Sequence, residues 1–247
     1  MANIHSIKTL GIVLKGSNFG EADKILTIFT ERLGKVKVIA KGVRKIKSHL
    51  AGALEPFQLV NLQLHEGKTF YTVTGAVIKE EFPGISSDLS KTAKAFFIGE
   101  LVDRFVEENE KSEGIFGLFA ETLREVSKCL PGPLIQAFEL KIIKLAGFKP
   151  ELNSCLHCKE KITPGNNFWD REEGGIICGN CQRKFHHGHL ISDETIKALR
   201  FFEQQKFSEI SRLRISGQFC EIEKVLDEYV QGILERELKS KSFLDMV

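Results

Sequence analysis

Lys35-Val36-Lys37-Val38-Ile39-Ala40-Lys41 is the stretch that decides the first part of the fold. Successive side chains of an extended segment point to opposite faces. Val36, Val38 and Ala40 therefore share one side, and Lys35, Lys37 and Lys41 the other. That alternation predicts a strand with one face in a core and one in water. Four further segments rich in β-branched and aromatic residues flank it, at Ile7–Lys15, Lys24–Thr30, Phe57–His65 and Thr69–Lys79. In the first, Leu10, Ile12 and Leu14 share a face of the pleat, and Glu66-Gly67-Lys68 reads as a hairpin turn between the last two. Five strands within residues 1–80 suit a small barrel. The five-stranded OB-fold is the common nucleic-acid-binding version, and an SH3-like barrel fits the same count.

From residue 87 the apolar period becomes helical. Ser87 or Asp88 can cap a helix whose apolar face carries Phe96, Phe97, Leu101, Phe105 and Val106. Further helices are expected over Ile115–Lys128, ending before Pro131, and over Leu134–Ala146, with Gly147 as its stop. Ser192 or Asp193 starts another through Gln205, and the last covers Glu221–Lys239 with Val225, Leu226, Tyr229, Ile233 and Leu234 on one side. The expected organisation is a barrel domain at 1–80, a helical domain from 81–150 and 190–247, and an insertion at 151–189.

That insertion carries Cys155-Leu156-His157-Cys158 and Cys178-Gly179-Asn180-Cys181, two C-x2-C pairs with 19 residues between them. Zinc takes soft ligands in a tetrahedron, and a two-residue spacer lets two thiolates converge from one knuckle. Asn167–Asp170 and Gly175-Ile176-Ile177 resemble the short strands of a zinc ribbon, and Gly179 is expected to ease the second knuckle's turn. Four protein ligands close the coordination shell, so Cys155, Cys158, Cys178 and Cys181 predict one structural Zn2+ ion with no place for a reactive water. Two unrelated redox motifs or free thiols are the competing explanation. His186, His187 and His189 are near enough in sequence to replace a cysteine, although a surface histidine cluster is more often solvated. Cys129 and Cys220 lie on helical patterns and are expected as small buried hydrophobes.

The chain has 247 residues, 42% of them hydrophobic and 28% charged, an ordinary balance for a globular protein with a real core. Its net charge of +2 is unevenly spread. Residues 1–80 hold 12 Lys/Arg against 6 Asp/Glu, whereas 81–150 hold 9 against 11, 151–190 hold 5 against 5 and 191–247 hold 9 against 11. Lys35, Lys37, Lys41, Arg44, Lys45 and Lys47 place six cations in 13 positions with no acid among them. Such a run is usually a solvated surface. Concentrated on a strand face and a flexible loop after Gly42, it points to a polyanion, with cations on backbone phosphates. Phe19, Phe57, Phe70 and Tyr71 are candidates for stacking on bases, although aromatics in a small barrel are mostly core.

Several chemistries lack their motifs. Gly67-Lys68-Thr69 resembles the end of a phosphate-binding loop, but Leu62 stands where its earlier glycine is required. G-x-G-x-x-G, H-E-x-x-H and G-x-S-x-G are absent, as is the H-x-E with P-C-x-x-C of zinc deaminases. Glu107 and Glu108 fall on a helical, solvated face. The expectation is a protein that is not an enzyme. Without a charged-then-apolar leader or an apolar run of membrane length, it is expected in the cytoplasm, where cysteines stay reduced.

Gly20-Glu21-Ala22-Asp23-Lys24-Ile25-Leu26-Thr27-Ile28-Phe29-Thr30, followed by Gly34-Lys35 and Ala40–Lys45, resembles the N-terminal signature of the RecO family of recombination mediators. Leu50–Phe57 extends the likeness, Glu237–Leu244 resembles that family's C-terminal end, and the paired C-x2-C motifs match its zinc-bearing members. The resemblance implies an N-terminal OB-fold, a helical C-terminal domain and an inserted zinc ribbon. It further implies binding of single- and double-stranded DNA and annealing of complementary strands in repair and recombination, in the nucleoid. Two partners are implied: RecR, with which recombinase is loaded, and single-strand-binding protein, contacted through its acidic tail. Annealing needs no cofactor turnover, because cations that neutralise phosphates on two strands lower their repulsion. Two other classes fit the same residues: an RNA-binding or transcription-associated factor, and a scaffold whose basic barrel binds an acidic protein.

Overall fold

The computed structural model describes residues 6–128, 133–213, 217, 219–244 and 246. Its N-terminal strands are β1 (Ser6–Phe19), β2 (Asp23–Thr30), β3 (Gly34–Ala40), β4 (Leu59–His65) and β5 (Tyr71–Glu80). They close a barrel in the order β1-β2-β3-β5-β4, with β3 and β5 parallel and the other pairs antiparallel. This is the strand order of the OB-fold, which settles the choice between the two barrels. β1 closes the ring because it is long enough to pair with β4 through Ser6–Ile12 and with β2 through Gly11–Phe19.

The interior holds Val13, Leu26, Ile28, Val36, Val38 and Ala40, among others, and Ala53 and Leu54 of a short 3-10 turn join them. The β3 alternation is therefore as expected. β1 is apolar on both faces. Val13 points into the barrel, while Ile12 and Leu14 are buried on the opposite face, where β1 meets a helix. A strand apolar on both faces does not reveal which one is inside.

Three helices follow: α1 (Pro83–Ser86), α2 (Leu89–Phe105) and α3 (Glu113–Lys128). Asp88 caps α2 by accepting a 3.0 Å hydrogen bond from the Lys91 N–H. The buried stripe of α2 is Ala93, Phe97, Ile98, Leu101 and Val102. Phe96 and Phe105 are not in it. Phe96 is 40% exposed and meets Phe57 edge-on, with ring centroids 5.0 Å apart. Arg124 on α3 grips the Glu80 carboxylate with two nitrogens at 2.7–2.9 Å.

The second half contains α4 (Leu134–Leu145), then β6 (Asn167–Asp170), β7 (Gly175–Cys178), α5 (Gly179–Phe185) and β8 (His189–Ile191). The three short strands form a sheet in the order β7-β6-β8. β6 and β7 stand where the ribbon strands were expected, whereas β8 and the two-turn α5 carry no clear sequence period. α6 (Asp193–Gln204), α7 (Phe207–Ile210) and α8 (Phe219–Leu234) follow. Ser192 caps α6, and the Glu221 carboxylate accepts bonds from Ser192 and Thr195, which ties α8 to that cap. Trp169 of β6 is buried edge-on against Tyr229 of α8, so the ribbon shares the helices' core.

The last helix is shorter than expected: α8 stops at Leu234, Glu235 is left-handed at φ 50°, and a separate α9 covers Lys239–Leu244. By packing, the chain divides into one compact unit of 1–128 with 240–247 and another of 129–239. The helices that follow residue 80 thus group with the barrel by packing. The helices of 83–128 pack on the barrel through Phe57–Phe96 and Phe29–Phe116, and Ser240 returns to donate 2.6–2.7 Å bonds to Glu100. A change of secondary-structure period marks where a helix starts, and carries no information about which surface it covers.

Candidate nucleic-acid interface and metal centre

The loop after β3 begins with Gly42 at φ +64°, a conformation that costs a side-chain-bearing residue strain. The chain then makes two consecutive turns, closed by Lys45 N–H to Gly42 C=O at 3.1 Å and Ser48 N–H to Lys45 C=O at 2.9 Å. Val43 is buried in the barrel core and anchors the loop from below. From the side, Asp23 accepts from the Gly42 N–H at 2.7 Å, and the Arg44 N–H donates to Ala22 C=O at 2.9 Å. The loop is tied to the β1–β2 turn and is not the free flexible arm the sequence suggested. It presents Lys41, Arg44, Lys45 and Lys47, all exposed. None of these cations forms an ion pair among the described residues, and Arg44 spends one nitrogen on the carbonyls of Gly20 and Glu21 at 3.2–3.4 Å.

Lys35 and Lys37 are placed differently. Lys35 is only 9% exposed, and its ammonium donates to the Asp103 carbonyl and lies 3.4 Å from the Asp103 carboxylate. Lys15 reaches the same carboxylate. Burial raises the Asp103 carboxyl, but the Lys15 and Lys35 ammoniums outweigh it and hold the group below its ordinary range. Lys37 pairs with Glu108 at 2.5 Å, both groups half exposed. Glu107 and Glu108 lie just beyond α2 and not on a helical face, and Glu108 bridges beside Lys35. The six basic residues are close in sequence but differ in their surroundings: four face solvent and two are matched by acids. No local signal announces Asp103 or Glu108, because they come from about 70 residues away in the chain.

Of the aromatic candidates, Phe57 is buried, and Phe70 and Tyr71 are half-buried. Phe19, at the end of β1, is 49% exposed and so remains available. Ile46, at the tip of the basic loop, was not singled out and is fully exposed.

In the ribbon, the ligand atoms of Cys155, Cys158, Cys178 and Cys181 all lie within 4.8 Å of one another, so the four can hold one metal ion. The first knuckle is a turn closed by Lys159 N–H to Cys155 C=O at 3.0 Å, and the second opens α5. Gly179 is needed there for space and not for an unusual backbone angle, since a Cβ would sit 2.8 Å from the Asn166 carbonyl oxygen. Cys155 is wholly buried and Cys158 exposed. Burial pushes the Cys155 thiol up, yet the N–H groups of Cys178, Cys158 and His157 aimed at it prevail and hold it at about 6. Burial and then the sulfurs of Cys178, Cys158 and Cys155 push Cys181 up to about 12. Four sulfurs this close repel as thiolates unless a cation lies between them, the situation of a metal centre.

The histidines stand apart from that cluster. His187 hydrogen-bonds Asp170 through Nδ1 and faces His157 Nε2 at 3.2 Å, while His157 stacks on Phe185 with centroids 4.2 Å apart. His186 takes the left-handed position that ends α5, and His189 is exposed. Cys220 is exposed, which corrects its expected burial: the core stripe of α8 runs through Ile222, Val225, Leu226, Tyr229 and Val230. Cys129 lies outside the described residues. No described helix is long and apolar enough to cross a membrane.

Comparison with known proteins matches both halves. Residues 1–82 match the family model "Recombination protein O N terminal" and residues 86–242 match "Recombination protein O C terminal". The chain is 36% identical to the DNA repair protein RecO of Dehalococcoides mccartyi (strain ATCC BAA-2266 / KCTC 15142 / 195), over 99% of this chain and 97% of the relative. It is 32% identical to the DNA repair protein RecO of Thermoanaerobacter sp. (strain X514), over 97% of each. With these likenesses over both halves, a closed barrel of OB-fold order, a helical C-terminal region and a four-cysteine cluster, the chain belongs to the RecO family of DNA repair proteins.

Proposed function

We propose that the chain binds single- and double-stranded DNA and anneals complementary strands as a non-enzymatic recombination mediator in the cytoplasm, at the nucleoid. The observation that carries this is the tethered loop of an OB-fold-like barrel that presents Lys41, Arg44, Lys45 and Lys47 without acidic partners. These four are the phosphate contacts, and Lys35 and Lys37 hold the surface that presents them. Cations on two strands at once lower the repulsion that opposes pairing, and duplex formation then completes the step. Family membership supports the wider role, in which the protein works with RecR on strands coated by single-strand-binding protein.

The test is annealing of complementary strands precoated with single-strand-binding protein, with and without RecR. Annealing of coated strands, altered by RecR, is the expected result. Binding to naked DNA with no annealing in any combination would overturn the mediator role. About four phosphate contacts also require log affinity for single strands to fall with log salt at a slope near −3. Salt-independent binding is incompatible with that requirement.

The metal is zinc on this proposal. A tetrahedral ion with Zn–S bonds of about 2.3 Å holds its ligands roughly 3.8 Å apart, and the Cys158 and Cys178 sulfurs are 3.8 Å apart. The ion braces two knuckles whose strands of four, four and three residues are too short to be stable by themselves. Structural zinc sites are worth about 10–16 kcal/mol in apparent binding energy in small zinc-finger peptides. Purified protein should carry one zinc per chain, and chelation or Cys178→Ser should lower amide protection across 129–239, read by hydrogen exchange. Unchanged protection after complete zinc removal would contradict the bracing role.

A further inference from the structure

We infer that Phe19 and Ile46 form a base-contacting wedge at one end of the barrel, taking the unstacked bases of single-stranded nucleic acid while the neighbouring cations hold its phosphates. The inference rests on the phosphate-binding role proposed for the loop and adds a ligand contact to it. Ile46 has a relative exposure of 104% and occupies a central position of the second turn, closed from Ser48 to Lys45 at 2.9 Å. The first turn of the same loop turns its apolar residue, Val43, into the core, so the loop has room for an inward side chain and sends this one outward. Lys45 and Lys47 flank Ile46 directly.

The second apolar group comes from another part of the chain. Phe19, 49% exposed, ends β1 immediately before Gly20, Glu21 and Ala22. The carbonyls of those three residues accept bonds from the Arg44 guanidinium and backbone N–H, so the two loops are fastened together and both project from the same end of the barrel. Single exposed apolar residues are ordinary on a protein surface. Two, held on joined loops beside the exposed Lys41, Arg44, Lys45 and Lys47, match a ligand with flat apolar faces on a charged backbone. A single strand offers both, whereas a duplex keeps its base faces stacked. The loop between the first two strands is also a usual place for oligonucleotide contact on this barrel.

The test compares affinity for a single-stranded deoxyoligonucleotide with affinity for an abasic strand of equal length, which has the same phosphates and no bases. The protein is expected to bind the base-bearing strand roughly tenfold more tightly, the scale of one stacked or wedged base. Phe19→Ser with Ile46→Ser should bring that ratio close to one, and Ile46→Trp should increase it. Both positions are exposed, so a thermal midpoint like that of the unaltered protein checks that the variants fold. Equal, salt-dependent binding of both strands by the unaltered protein overturns the wedge and leaves the phosphate contacts standing. A ratio that survives the double substitution overturns it as well. Failure to bind either strand overturns the phosphate contacts together with the wedge.

Discussion

The basic stretch of this RecO-family chain falls into two regions with the same charge and different surroundings. In the strand, Lys35 and Lys37 are met by Asp103 and Glu108, and Lys35 is nearly excluded from water. In the loop, Lys41, Arg44, Lys45 and Lys47 are exposed, and the backbone that carries them is fastened by Val43 and Asp23. A cation already neutralised by a carboxylate has little to offer a phosphate, and displacing its partner carries a desolvation cost. One region thus joins the barrel to the segment around Asp103 and Glu108, and the other keeps its cations in water. Adjacent positions along one chain, with one composition, differ because their surroundings do.

The difference can be broken most severely from the loop side. Replacing Lys41, Arg44 and Lys47 with Glu is expected to abolish annealing and to lower strand affinity by on the order of 100-fold or more, with the thermal midpoint preserved. Fluorescence-monitored annealing and calorimetry read the two quantities. Retained annealing would remove the loop from the mechanism. From the strand side the outcome inverts. Lys35→Ala leaves Asp103 with one cation and should cost about 1–3 kcal/mol of stability, while the folded fraction binds DNA within about twofold of the parent. Denaturant titration and a binding isotherm on the same sample separate the two effects.

Acid supplies a graded version of the same contrast. The folded Asp103 carboxyl lies below its unfolded value, as does Glu80, which hydrogen bonding to Arg124 pulls down against burial. The unfolded state therefore binds protons first as pH falls, and stability is present above the unfolded carboxylate value and lost as pH descends through the folded one. Thermal midpoints should drop on acidification below about pH 4, and Asp103→Asn should flatten part of that fall. The smallest effect is expected at Lys37→Ala, an exposed pair worth about 0.2–1 kcal/mol, with binding again within about twofold. A loss there as large as that of the loop variant would erase the division between the regions.

Much of this was legible before any coordinates. The alternation of Val36, Val38 and Ala40 marked the inward face of β3, and the paired C-x2-C motifs identified the four sulfurs that converge. Asp88 and Ser192 capped the helices they precede. Such signals are local: a period of two, a spacer of two residues, or a cap three residues from its donor arises from nearest neighbours. Phe96 and Phe105 fall outside the buried stripe because helical period identifies an apolar stripe but not which of two adjacent stripes a partner covers. β8 and α5 were missed because segments of three and seven residues hold too little period to detect.

By itself, then, the sequence determined a small barrel, helices, a four-cysteine ribbon and a concentration of positive charge, since each rests on residues close in the chain. Tertiary structure alone decided the OB-fold order of the strands, the border of the compact units and which cations are free. Those depend on contacts between distant segments: β1 meeting β4, Ser240 meeting Glu100, and Asp103 meeting Lys35. The availability of a charge is set by what folding brings within a few ångströms of it, and only the folded chain specifies that.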